Sequence, residues 1–247
     1  SIIAFSFVWV LYQQFELSYV WLYTLGGGVA VVIVFYCWQS FPLFPEKVTQ
    51  TKKIILRKRY WLYYALQFMS GARRQIFVVF AGFLMVEKFE FTVAEISMLL
   101  IANAAINVVL APKIGRLIQR FGERKSLIFE YIGLSLIFAG YAFVESSEFA
   151  VFLYIADHLF FSIAIALKTY FQKIADPADI ASSSGVSFTI NHIAAVFIPV
   201  AFGLVWLYSP SLVFLAGSGM AIVSLILALN MPSKPSLGNE VLLGKFS

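Results

Sequence analysis

Two adjacent arginines, Arg73-Arg74, stand in the middle of a long apolar run. A guanidinium at the centre of a bilayer costs about 2.5–3.5 kcal/mol on insertion scales, so charge at that depth marks a solute path or a buried pair. Successive helix positions differ by about 100°, so the two side chains leave the helix in different directions. Gln67, Ser70 and Arg74 follow i, i+3, i+7 spacing and make one polar stripe. Arg74 is therefore expected to face a cavity, where a guanidinium grips a carboxylate or a phosphate ester. Arg73 is expected at the same site or paired with an acid on a neighbouring helix.

A second constellation is Asp157-His158, also inside an apolar run. An imidazole titrates near neutral pH, and burial or a neighbouring charge shifts either group, so this pair is the candidate for carrying a proton. The competing reading is a structural Arg–Asp pair. Asn103 and Asn107 share a helix face at i, i+4, suited to a solute or to bridging helices. Ser184, Ser187 and Asn191 form another stripe, and His192 stands off it as a packing or functional histidine. Arg74, Asp157, Asn103, Asn107 and Asn191 are expected to converge at mid-depth. Lys168 lies nearer a helix end, where snorkelling explains it.

Such residues need apolar elements to carry them. Hydrophobic residues make up 61% of the chain and charged residues 13%, against roughly 45–50% and about 25% in soluble domains. A bilayer core about 30 Å thick takes about 20 apolar residues per helical span. The apolar runs are continuous rather than alternating, which excludes a β-barrel. Spans are expected at 18–38, 60–86, 95–112, 126–144, 149–171, 185–207 and 211–230, after a truncated one at 1–12. The fold class is thus all-α: a polytopic transmembrane helix bundle with about seven full spans and one partial.

Every second loop is basic. The connection 39–59 holds Lys47, Lys52, Lys53, Arg57, Lys58 and Arg59, whereas the turn at 145–148 holds only Glu145 and Glu148. Lys and Arg in short loops mark the cytoplasmic side, which puts 39–59, 113–125, 172–184 and the C-terminus there. The net charge of +5 is then explained by membrane orientation, and no nucleic-acid partner is expected. Cys37 is the only cysteine, so neither an intramolecular disulfide nor a thiolate metal site is expected. No cofactor or metal is expected.

The connection from Gly115 to Lys125 is read as a basic loop with two glycines. Gly115, Arg120, Gly122, Arg124 and Lys125 fall on the spacing of a signature loop, with Gln119 where an Asp is usual. In this the chain resembles the major facilitator superfamily, whose loop joins helices two and three and recurs between helices eight and nine. Four runs follow it here, which implies the second copy. A loop rich in small residues before Gly185, with Pro199 and Gly203 beyond, is similar to that family's eleventh helix. The resemblance implies the end of helix five through helix twelve. Residues 1–38 then close an N-terminal bundle that is otherwise missing, 39–59 is a linker, 60–231 is a six-helix bundle, and 232–247 is a cytoplasmic tail.

The function implied is secondary active transport of a small anionic solute by alternating access, coupled to protons, as symport or antiport. The expected site is Arg74, Arg73, Gln67, Asn103, Asn107 and Asn191 for substrate, with Asp157, His158 and His192 for proton coupling or a charge pair. Expected partners are the solute, the lipid bilayer and the missing bundle, and the expected location is a bacterial inner membrane. The alternatives are a polytopic membrane enzyme using His158 and His192, or a receptor-like protein that no longer transports. Against an enzyme, the sequence holds no HExxH pair, nucleophile elbow or phosphate loop.

Overall fold

The structure is a computed structural model that describes residues 18–41, 49, 51, 53 and 55–245. The run at 1–12 and most of the connection 42–54 lie outside the described residues. Seven helices are long and apolar enough to cross a membrane: α1 (Val20–Ser40), α2 (Lys58–Phe89), α3 (Val93–Phe121), α4 (Glu123–Ala142), α5 (Ser147–Ile174), α6 (Pro177–Trp206) and α7 (Pro210–Leu229). Among the described residues there is no β-strand, only an isolated bridge between Ser236 and Asn239. Two compact units divide the chain, Ser1–Thr49 and Gln50–Ser247. The first contains α1, and the other six helices form the second.

Local chemistry sets the helix boundaries. Thr92 starts α3 with a capping box: its hydroxyl accepts from the Glu95 amide at 3.3 Å, and the Glu95 carboxylate accepts from the Thr92 amide at 2.8 Å. Ser146 caps α5 through the Phe149 amide. Pro210 opens α7, at a position where its missing N–H costs nothing.

The helices outrun the expected boundaries. α3 continues without interruption through Gly115 to Phe121, and Gly122 alone makes the turn into α4. The expected two-glycine loop at 113–125 is therefore a single-residue corner. Gly122 has φ +82°, ψ 162°, a region open almost only to glycine, whereas Gly115 is an ordinary helical residue. The expected loop 172–184 is also mostly helical, because α5 runs to Ile174 and α6 starts at Pro177. Polar and charged end residues extend these helices beyond the hydropathy window, because at the interface they reach water.

Within the second unit α4 packs most extensively on α7, and α2 on α6. Lipid is as apolar as leucine, so such contacts rest on close packing rather than on expulsion of water. Gly217 shows how: a Cβ there would meet the Phe138 ring at 3.0 Å. Two apolar clusters fill the interior. One, with Phe80, Met85, Phe138 and Phe214, lies toward the end holding Lys88; the other, with Leu62, Leu127, Tyr170 and Ile174, lies toward Gly122. Arg73, Glu130 and Asp157 lie where the two clusters adjoin along their helices. Val108, Val109, Val196, Phe197 and Val200 are exposed, as lipid-facing residues are.

The Gly122 end is tied together by polar bonds. Asp179, at the start of α6, accepts from the Arg57 Nε at 3.0 Å and Nη2 at 2.9 Å, and from the Tyr60 hydroxyl at 3.3 Å. That bond and the carboxylate charge raise the Arg57 pKa above its ordinary value. The residues after α7 fold back on this end rather than trailing away. Asn230 bonds the backbone of Leu243, the Tyr170 hydroxyl donates to the Glu240 carbonyl, and the Trp61 indole to the Gly244 carbonyl.

Candidate functional site: an open cationic cavity and a buried charge cluster

A cavity of about 640 Å³ opens between α2, α5 and α6, within the range of small-molecule sites. Gln67, Ser70 and Arg74 line it from α2, as their stripe predicts, and Asn191 and His192 line it from α6. From α5 come Phe161, Ser162 and Lys168. Lys168, expected to snorkel near a helix end, follows Phe161 by two turns and lines the same cavity. The Arg74 Cζ lies 5.5 Å from the Phe161 ring centroid, a cation–π contact. The His192 Nδ1 lies 2.9 Å from the Phe188 carbonyl. A carbonyl only accepts, so Nδ1 carries the proton and Nε2 is left for other partners.

Two irregular stretches inside the long helices border this cavity. A π-helical stretch, Ile76–Ala81, follows Arg74 and Gln75 in α2. A 3₁₀ turn, Ser162–Ala164, interrupts α5. Such departures from α geometry often mark functional hinges.

Arg73 points away from the cavity. It is 1% exposed, its Nε donates to the Met69 carbonyl at 3.2 Å, and its Cζ lies 4.5 Å from the Tyr131 ring. Around it lie two buried carboxylates in electrostatic reach, Glu130 on α4 and Asp157 on α5. Glu130 is completely buried and Asp157 is 1% exposed. Both carboxylate oxygens of Glu130 and one of Asp157 lack a hydrogen-bond partner, as do both polar atoms of buried Asn103. Buried charges of both signs at bilayer depth with unfilled bonds are a strong functional signal.

The predicted site residues therefore divide. Arg74, Gln67, Asn191 and His192 share the cavity, whereas Arg73, Asp157 and Asn103 are buried in the bundle. The single convergence point expected for Arg74, Asp157, Asn103, Asn107 and Asn191 does not form. Asn107 accepts a bond from the Ser162 hydroxyl at 2.7 Å and bridges α3 to α5. His158 sits apart from the charge of Asp157: it packs on Phe77 and Tyr154 and is in electrostatic reach of Arg74. The physical reason is the 100° step between neighbours, which sends Arg73 and Arg74, and likewise Asp157 and His158, to different surroundings. Sequence reasoning passed over Glu130. Its signal was legible, since it is the one acid within the apolar stretch 126–144.

Of the signature-loop residues, Arg124 does what a helix-end arginine can do. Its Nη2 donates to the Leu229 carbonyl at the end of α7, at 2.8 Å. Arg120 and Lys125 are exposed, and Arg120 lies over Phe121. Buried Glu123 pairs with Lys173 of α5 at 2.6 Å. Among the described residues no three His, Cys, Asp or Glu side chains gather closely enough to hold a metal ion.

Membrane-crossing helices around an open polar cavity define a polytopic transporter-type bundle. The sequence matches the Major Facilitator Superfamily over residues 1–199 and again over 63–241, and the chain belongs to that family of membrane transporters. No curated protein matches it.

Proposed function

We propose that this chain forms part of a secondary active transporter that moves a small anionic solute by alternating access, with Arg74 as its principal ligand. The cavity carries the reading: Arg74 and Lys168 line it, and no Asp or Glu does. A wet recess with cations and no counter-charge attracts anions. Gln67 and Asn191 supply neutral hydrogen bonds for orientation. The site falls near the middle of α2 and α6, consistent with transporter sites at the bilayer midplane. The basic Gly122 end faces the cytoplasm of a bacterial inner membrane in this reading, by the distribution of Lys and Arg.

Proton coupling is assigned to the buried cluster. Arg73 neutralises one carboxylate, so Glu130 and Asp157 together hold one proton whenever the cluster is neutral. Gain or loss of that proton changes a buried net charge, which low-polarity surroundings resist strongly. The test of the solute site is Arg74→Ala. Its side chain is exposed, so the variant should fold and reach the membrane while uptake is lost. Normal uptake would remove Arg74 from the site.

A further inference from the structure

We propose that the cavity takes an extended organic dianion, with one anionic group at Arg74, a second at Lys168, and a flat apolar body between Phe161 and Phe188. This rests on the cavity being the solute site, and adds a second ligand and a solute shape. Lys168 is exposed on the cavity wall. Among the described residues it takes part in no ion pair or side-chain hydrogen bond. A cation buried in a structural pair would be satisfied already, whereas this one is free to bind.

The spacing sets the shape. Arg74 lies over Phe161, and Lys168 is seven residues further along α5, three of them in the longer-rise 3₁₀ turn. The Lys168 Cα therefore stands roughly 10–12 Å beyond that of Phe161 along the helix. The two cations thus start from different heights on the cavity wall, and anionic groups at opposite ends of one molecule meet both without drawing them together. The wall around them is partly aromatic: Phe161 of α5 and Phe188 of α6 both line the same cavity. Aromatic faces favour stacking with a planar body. A monoanion would leave one cation without a counter-charge.

A rigid ruler tests this. Purified full-length protein in nanodiscs is titrated with terephthalate, phthalate, benzoate and neutral terephthalamide, reading thermal stabilisation and affinity. Terephthalate should bind at least about tenfold more tightly than benzoate or phthalate, as a second charge-assisted contact implies. Lys168→Gln should remove the preference for terephthalate over benzoate, lowering terephthalate affinity far more than benzoate affinity, whereas Lys168→Arg should keep the preference. Equal binding of benzoate and terephthalate, or a terephthalate affinity indifferent to Lys168→Gln, overturns the second ligand. Phthalate binding as tightly as terephthalate overturns the extended shape. If benzoate still binds and Arg74→Ala abolishes it, the anion site survives that failure. Binding of terephthalamide alone, indifferent to Arg74→Ala, sinks both, and no stabilisation by any of the four overturns the aromatic dianion.

Discussion

Gly71 on α2 lies so close to Asn191 on α6 that a Cβ built on the glycine would stand 2.6 Å from the Asn191 Oδ1 and 3.4 Å from the Ala194 Cβ. The contact sits at the edge of the cavity and sets where the Asn191 amide points. Gly71→Ala must displace that amide, at a modest cost because the displaced atom ends a flexible, half-buried side chain. The expected result is a lower Tm and weaker solute affinity. Asn191→Ala in the same background should recover most of the stability but not the affinity. Independent, additive effects in that double-mutant cycle would mean that the two residues do not touch.

The two glycines of the signature stretch should respond differently. Gly122 holds φ +82° at the corner, and alanine there should cost about 1–3 kcal/mol in backbone strain. Gly115 is helical with open space around it, so Gly115→Ala should be neutral or slightly stabilising. Thermal unfolding of the two variants in detergent separates them, and equal losses would contradict the corner.

Arg73→Ala should destabilise by about 3–5 kcal/mol, because it leaves buried carboxylates without their cation. Adding Glu130→Gln and Asp157→Asn should restore much of that loss. A single variant as stable as the parent would mean that the cluster exchanges its charge with water.

Asp157→Asn should leave solute uptake in proteoliposomes measurable but indifferent to an imposed pH gradient. Retention of the parent's response would take Asp157 out of coupling and leave Glu130→Gln as the next variant to measure.

Asp179 holds the segment before α2 through Arg57 and Tyr60. Asp179→Ala should release that segment and speed tryptic cleavage after Arg57 and Lys58, followed on gels. Cleavage at the parental rate would show that the backbone bond from Thr51 to the Ala178 carbonyl is anchor enough.

Hydropathy and loop charge are properties of local sequence, which is why helix number, membrane class and family were legible before any coordinates. The Arg74 stripe was legible for the same reason: i, i+3, i+7 positions share a face in any helix. Helix ends were less so, since polar interfacial residues continue the hydrogen-bond ladder without raising hydropathy, as Gly115 to Phe121 does. The corner at Gly122 depended on a backbone angle that composition does not reveal.

From its sequence alone this chain is a bundle of membrane-crossing helices with charges it must shelter. Which charge is sheltered by what was decided only by the fold. Rotation of a helix about its axis is set by its neighbours, and one residue is worth about 100° of it. That rotation put Arg74 and Lys168 in the cavity, and Arg73 with Glu130 and Asp157 in the interior.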